Sequence, residues 1–80
     1  MTSFNHYVVA KKIARDLKKL GYVDWYNKVD DAIVSGSTGT EILMALRWHF
    51  KELIKSNATL PQELSDRINE LNEKINESLS

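Results

Sequence analysis

The chain has 80 residues, with 11 basic and 11 acidic side chains and no cysteine. This length suits one domain, and the lack of cysteine excludes disulfides, thiolate metal sites and thiolate nucleophiles. No apolar run approaches the ~18 residues that span a bilayer, and the first residues lack the basic and apolar regions of a secretory signal. We therefore expect a single domain over residues 1–80 that binds no cofactor, stays out of membranes and works in the cytoplasm.

The net charge is zero, but the two ends of the chain differ in sign. Residues 1–20 carry five basic side chains against Asp16 alone, and residues 60–80 carry five acidic side chains against Arg67 and Lys74. This pattern favours terminal helices that pack as complementary neighbours. It leaves open that each helix presents a charged surface to a partner.

The first predicted helix runs from about Ser3, as its N-cap, to Leu20. Gly21 follows at the position that usually adopts the left-handed conformation, and Tyr22 then falls where a Schellman motif places its apolar residue. At helical spacing one face of this segment is apolar. It contains Val9, Ala10, Ile13, Leu17 and Leu20.

The second predicted helix begins at Asp24, which can cap it, and runs to about Ser35. Gly36 ends the helix, and a turn of about three residues leads to the next one, which makes the two helices close neighbours. The apolar residues of this segment share one arc. They are Trp25, Val29, Ala32 and Ile33, with Tyr26 beside them.

The third predicted helix, Thr38 to Lys55, is the one we expect to be central. Thr38 and Glu41 have the spacing of a capping box. In this motif the Thr38 hydroxyl accepts a hydrogen bond from the Glu41 amide, and the Glu41 carboxylate accepts one from the Thr38 amide. Its apolar residues fall on an arc about 120° wide at 100° per residue. They are Ile42, Leu43, Leu46, Phe50, Leu53 and Ile54.

The opposite side of the third helix carries Met44 and Trp48, beside a ridge of Arg47, Lys51 and Lys55. Two interpretations are open. Met44 and Trp48 can pack against a fourth helix or a neighbouring subunit, which the helical spacing favours. Alternatively, they form an exposed aromatic and basic surface for a partner, because Trp and Arg are common at interface hot spots and Met adapts to irregular surfaces.

The fourth predicted helix runs from about Leu60 to Ser78 and has the narrowest apolar stripe, about 80° wide. The stripe contains Leu64, Ile68, Leu71, Ile75 and Leu79. Such a helix touches one groove, as an outer helix of the bundle or as a dimer seam. Asn72 borders the stripe; we expect it to be exposed, although it could set the register of a dimer.

Two further features of the fourth helix are ion pairs at favourable i, i+4 spacing. The sequence predicts them between Glu63 and Arg67 and between Glu70 and Lys74.

No segment carries an enzyme signature. Residues 36–39 form a glycine-containing turn but lack the lysine and the preceding strand of a phosphate-binding loop. His49 and Glu52 are three residues apart, but a metal site there would need ligands from other helices, and His6 is the only other histidine. We therefore predict a protein that is not an enzyme and holds no metal.

The short turn before the third helix also occurs in helix-turn-helix DNA-binding proteins. In those proteins the N-terminal residues of the second helix contact bases. Here these residues are Gly39, Thr40 and Glu41, and the Glu41 carboxylate would face phosphate. The net charge of zero also differs from the strongly basic character of nucleic-acid-binding domains. Nucleic-acid binding is therefore disfavoured.

The segment from Trp25 through Ile33 and Gly36 to Trp48 resembles small, uncharacterised all-α bacterial proteins, some of which act as immunity proteins or regulatory partners. The resemblance covers about half of the chain and includes no catalytic motif. It implies a bacterial interaction protein and assigns no functional residue.

Together these patterns predict a compact, all-α, four-helix domain that resembles a bundle. The leading hypothesis is a protein-binding module of the immunity, adaptor or regulatory type. Its partner-binding residues would be Met44, Arg47, Trp48, Lys51 and Lys55. The alternatives are a structural homodimer, formed through the fourth helix or through the same face of the third, and a weak nucleic-acid-binding domain that uses the basic faces of the first and third helices.

Overall fold

The computed structural model describes residues 4–56 and 59–80, and within them it contains four α-helices and no strand. The helices are α1 (His6–Lys19), α2 (Val23–Ser35), α3 (Gly39–Lys55) and α4 (Gln62–Leu79). The predicted fold class, a compact all-α arrangement of four helices that resembles a bundle, is confirmed. None of the helices in the described ranges is both long enough and apolar enough to cross a bilayer.

The helices form a ring in which each one packs against two neighbours. α1 contacts α2 and α4, and α3 also contacts α2 and α4, so that α1 and α3 lie diagonally opposite each other. His6, at the start of α1, bonds to Ser78 near the end of α4, and Asp16, near the end of α1, bonds to Arg67. α1 and α4 are therefore antiparallel.

The apolar faces of the four helices meet in one core. Its largest fully buried side chain is Phe50 of α3. α3 was predicted to be the central helix, but in the ring it contacts two neighbours, as each of the other helices does. Leu20 and Ile54 were predicted to be core residues, and this is wrong, since they are 48% and 39% exposed. Leu20 is the C-cap of α1 and Ile54 lies in the last turn of α3, where neighbouring helices cover less of the surface.

Helix α1 begins later than predicted and ends as predicted. The side chain of Asn5 caps it, because its Oδ1 atom accepts hydrogen bonds from the backbone amides of Tyr7 and Val8, each at 3.1 Å. The predicted start at Ser3 is thus wrong, and Ser3 itself lies outside the described residues. At the other end, Gly21 has φ +93° and the Tyr22 amide donates to the Leu17 carbonyl at 2.9 Å, as a Schellman motif requires.

The starts of α2 and α3 differ slightly from the predicted caps. α2 begins at Val23, so Asp24 lies within its first turn and is not the cap. At α3 the Thr38 hydroxyl accepts from the Glu41 amide at 3.2 Å, which confirms half of the capping box. The Glu41 carboxylate accepts a hydrogen bond from the Ser37 amide at 3.4 Å and not from the Thr38 amide. The second hydrogen bond of the predicted capping box is therefore displaced by one residue.

Helix α4 begins at Gln62, two residues later than predicted, and lies in the groove between α1 and α3. Its apolar stripe is part of the bundle core, so the interpretation of this stripe as a dimer seam is wrong. The predicted ion pairs within α4 are not formed. Arg67 instead bonds to Asp16 of α1 at 2.8 Å, and Lys74 lies 3.9 Å from Glu77.

Asn72 is buried, contrary to the prediction that it is exposed. Its Oδ1 atom is fully enclosed and accepts no hydrogen bond from a described residue. A buried polar atom without a partner costs about 1–3 kcal/mol. This side chain is therefore a local weakness in the core next to Leu71 and Ile75.

We expect Asn72→Leu to raise the free energy of unfolding by about 1 kcal/mol, because it removes the unpaired Oδ1 atom and roughly keeps the volume of the side chain. Urea unfolding measures the change. Asn69→Leu, at an exposed position one turn earlier, is the control and should change stability by less than about 0.5 kcal/mol. A destabilised Asn72→Leu variant would contradict the assignment.

Candidate functional site

The outer side of α3 exposes two large apolar side chains. Met44 is 51% exposed and Trp48 is 61% exposed, whereas Leu46, Phe50 and Leu53 on the inner side are fully buried. The fourth helix therefore does not bury Met44 and Trp48, whereas packing of these side chains against a neighbouring subunit stays a prediction. α2 and α4 occupy the two flanks of α3, and no other helix of the described residues covers its outer side.

The basic residues predicted for this site lie along the same side of the helix. Lys51 and Lys55 are exposed. Arg47 is half-buried, and its Nη1 donates to Asn76 Oδ1 of α4 at 2.7 Å, which directs its side chain toward α4. The structure thus places all five predicted residues on one surface. We call it the α3 outer surface, and it consists of Met44, Arg47, Trp48, Lys51 and Lys55.

A cleft between α2 and α3 borders this surface on the side of Trp48. It is lined by Trp25, Lys28, Trp48, His49, Glu52, Lys55 and Ser56. The Lys28 ammonium lies 4.2 Å from the centre of the Trp25 ring, a cation–π contact. Two indole rings and two ammonium groups therefore face one α2–α3 cleft, since the antiparallel helices bring the start of α2 beside the end of α3.

A second groove borders the α3 outer surface on the side of α4. It is lined by Thr40, Met44, Arg47, Asn76, Leu79 and Ser80. The residues that α2 and α4 contribute to these two grooves were not predicted from the sequence. The short turn after Gly36 was the available signal for α2, because it predicts that the two helices are neighbours. For Asn76 the sequence contained no signal.

The charge of the site at neutral pH comes from its lysine and arginine side chains. Burial, together with the positive charge of Lys28, lowers the pKa of His49 below its usual 6.5, and the carboxylate of Asp31 offsets part of this effect. His49 is consequently neutral at pH 7. Glu52 is the acidic residue that lines the α2–α3 cleft.

The histidines do not share a site. His6 contacts the Lys74 carbonyl at 3.2 Å and Ser78 Oγ at 3.1 Å, between α1 and α4, whereas His49 lies between α2 and α3. In residues 4–56 and 59–80 no group of three or more histidine or carboxylate side chains is placed to hold a metal ion. The pair of His49 and Glu52 lines the cleft without a third ligand among these residues.

The exposure of Met44 and Trp48 predicts that they contribute little to folding. We expect the double variant Met44→Ala/Trp48→Ala to lose less than about 1 kcal/mol of unfolding free energy, since exposed substitutions usually stay within about 0.5 kcal/mol each. Phe50→Ala, the buried control on the same helix, should lose about 3–5 kcal/mol. Urea unfolding compares the two, and a loss above about 3 kcal/mol in the double variant would place the pair in the core.

The lowered pKa of His49 predicts a pH dependence of stability. Because its pKa in the folded chain lies below the unfolded value of 6.5, the unfolded chain takes up a proton first as the pH falls. The stability contribution of neutral His49 is thus present at pH 7 and is lost as the pH falls from about 6.5 through the folded pKa. His49→Gln should flatten this part of the curve.

Unfolding of the wild type and of His49→Gln by urea, at a series of pH values from 7.5 to 4.5, measures the difference. Comparing the two proteins removes the common effect of the carboxylates. Parallel curves would show that His49 does not titrate differently in the folded state.

Comparisons with family models, with curated proteins and with solved structures found no match to this chain. The resemblance to small bacterial all-α proteins therefore stays a prediction.

Proposed function

We propose that the chain is a protein-binding module whose contact site is the α3 outer surface. The observation that carries the proposal is Trp48, a tryptophan that is 61% exposed on the helix that also supplies Phe50 to the core. Tryptophan is the side chain most enriched at interface hot spots, and it supplies a large apolar area with few rotamers.

A single exposed apolar residue is ordinary, and Val34 on α2, at 74%, is such a case. Trp48 differs because it belongs to a larger surface. Met44 lies one turn away and is half-exposed, and the α2–α3 cleft opens beside the indole. A partner thus meets two adjacent apolar anchors and a recess, which is the arrangement of an interface centre.

The charges around these anchors indicate an acidic partner. Arg47, Lys51 and Lys55 lie along α3, and Lys28 faces the cleft from α2. Basic side chains at the edge of an interface steer an acidic partner and raise its association rate. We therefore infer a partner segment that combines carboxylates with an apolar side chain, as in an immunity, adaptor or regulatory complex in a bacterial cytoplasm.

Nucleic-acid binding through α1 and α3 together fits this geometry poorly. α1 and α3 lie diagonally opposite in the ring of helices, so their outward basic residues point to opposite sides of the molecule. A single strand or duplex lying on one side cannot contact both.

Site-specific photo-crosslinking in the source cells identifies the partner. We expect a photoreactive residue at Met44 to crosslink to one discrete protein, and the same residue at Val34, the matched exposed control on α2, to give none. The affinity of the purified pair is then measured. Trp48→Ala should weaken it by about 30-fold or more, because truncating a hot spot costs about 2 kcal/mol or more.

Lys51→Glu should slow association with the same partner, most strongly at low salt, while Val34→Ala should leave affinity and rate unchanged. Affinity that is insensitive to both Trp48→Ala and Lys51→Glu, in variants that remain helical by circular dichroism, would disprove the proposal.

A further inference from the structure

The side of the molecule formed by α1 and α4 carries a second surface. A groove between these helices is lined by Lys19 and Leu20 of α1 and by Glu63 and Leu64 of α4, together with Asp16, Pro61 and Arg67. Leu20 is 48% exposed. Lys19 and Glu63 thus face the same side, one on each helix, next to an exposed apolar side chain.

Each of these charged residues begins a line along its helix. Lys12 is seven residues before Lys19, and Glu70 is seven residues after Glu63, so each pair lies two turns apart on one face. All four side chains are exposed. In residues 4–56 and 59–80 the ion pairs are Asp16–Arg67 and Lys74–Glu77, so none of the four is paired within the chain.

The ion pair between the helices fixes their relative height. Asp16 and Arg67 are joined at 2.8 Å and therefore lie level with each other. Because α1 and α4 are antiparallel, three residues further along α1 correspond to about three residues earlier on α4. Lys19 is thus level with about Glu63, and by the same count Lys12 is level with about Glu70.

We propose that this α1–α4 face binds a second copy of the chain in a two-fold dimer whose axis runs parallel to the helices. Such an axis places α1 of one protomer over α4 of its partner. Because the rotation leaves positions along the helix axes unchanged, residues that are level within one protomer are also level across the interface. Lys12 and Lys19 then meet the partner's Glu70 and the partner's Glu63, and the same contacts form a second time by symmetry.

The alternative two-fold axis across the helices is disfavoured by the same charges, since it sets lysine over lysine and glutamate over glutamate. The second copy is the occupant because one surface of this chain carries both halves of a complementary pattern in matching register. Four other charged residues of α1 and α4, Asp16 with Arg67 and Lys74 with Glu77, are already joined in ion pairs within the chain. The α3 outer surface lies diagonally away from α1 and stays open in the dimer.

The dimer is held mainly by exposed ion pairs, each of which contributes little, so it forms at high protein concentration and low salt. Sedimentation equilibrium of the full chain tests this over a wide concentration range. At about 0.01 M ionic strength, where the screening length is about 30 Å, the mass should rise with concentration from 9.2 kDa towards twice that value. At about 1 M, where the screening length is about 3 Å, it should stay at 9.2 kDa.

Charge exchange identifies the face. Lys12→Glu/Lys19→Glu and Glu63→Lys/Glu70→Lys should each be monomeric at low salt, whereas an equimolar mixture of the two should form a heterodimer. The variant with all four substitutions should dimerise again. Lys51→Glu/Lys55→Glu on α3 makes the same change in net charge as the first variant and should dimerise like the wild type.

A wild type that remains at 9.2 kDa at low salt and at every concentration would overturn the proposal. An equimolar mixture of the α1 and α4 charge variants that fails to associate would also overturn it. The same holds if Lys51→Glu/Lys55→Glu abolishes association while Lys12→Glu/Lys19→Glu retains it. Circular dichroism of each variant shows that the substitutions, all at exposed positions, leave the helices formed. These outcomes are separate from those of the crosslinking experiment, because sedimentation is measured on this chain alone, without the partner.

Discussion

The structure depends on one constraint: each of the four helices has a single apolar face, and only mutual packing can bury all of them. A short chain buries a small fraction of its surface, so the core needs a contribution from every helix. α1 and α4 supply most of it, α3 supplies Leu46, Phe50 and Leu53, and α2 adds Val29 as its one fully buried residue. A ring in which each helix contacts two neighbours satisfies this requirement with short connections.

The connections restrict the ring further. Gly21 adopts a left-handed conformation that the Schellman motif at the end of α1 requires. At the turn between α2 and α3, a side chain at Gly36 would collide with Ile42, so the backbone there approaches α3 as closely as glycine allows. These two turns bring α2 beside α1 and then α3 beside α2. Tyr22, whose hydroxyl donates to the Thr59 carbonyl at 2.9 Å, ties the first turn to the segment before α4.

Local patterns predict much of this fold because their causes are local. Helical periodicity gave the four apolar faces, and the glycines after α1 and α2 marked where each helix ends. Features decided by a neighbouring helix could not be predicted. Asn72 is buried in a helix that packs against both α1 and α3. Arg67 bonds to Asp16, which comes within reach only when α1 packs against α4.

The candidate site shows the same division. Helical spacing places Met44, Arg47, Trp48, Lys51 and Lys55 on one side of α3. It cannot tell whether that side is covered, because an apolar residue opposite the core can pack on another helix as readily as it can face solvent. The answer depends on where α4 lies, and α4 packs on the flank of α3. The cleft with Trp25 and Lys28 likewise exists only once α2 and α3 are placed side by side.

The diagonal placement of α1 and α3 has a consequence for how such a chain can evolve. The molecule extends 30 × 26 × 23 Å, and the outward side chains of these two helices are separated by the thickness of the core. Substitutions at separate sites without shared partners usually have additive effects. Selection can therefore change the outward side chains of one helix while those of the other helix drift.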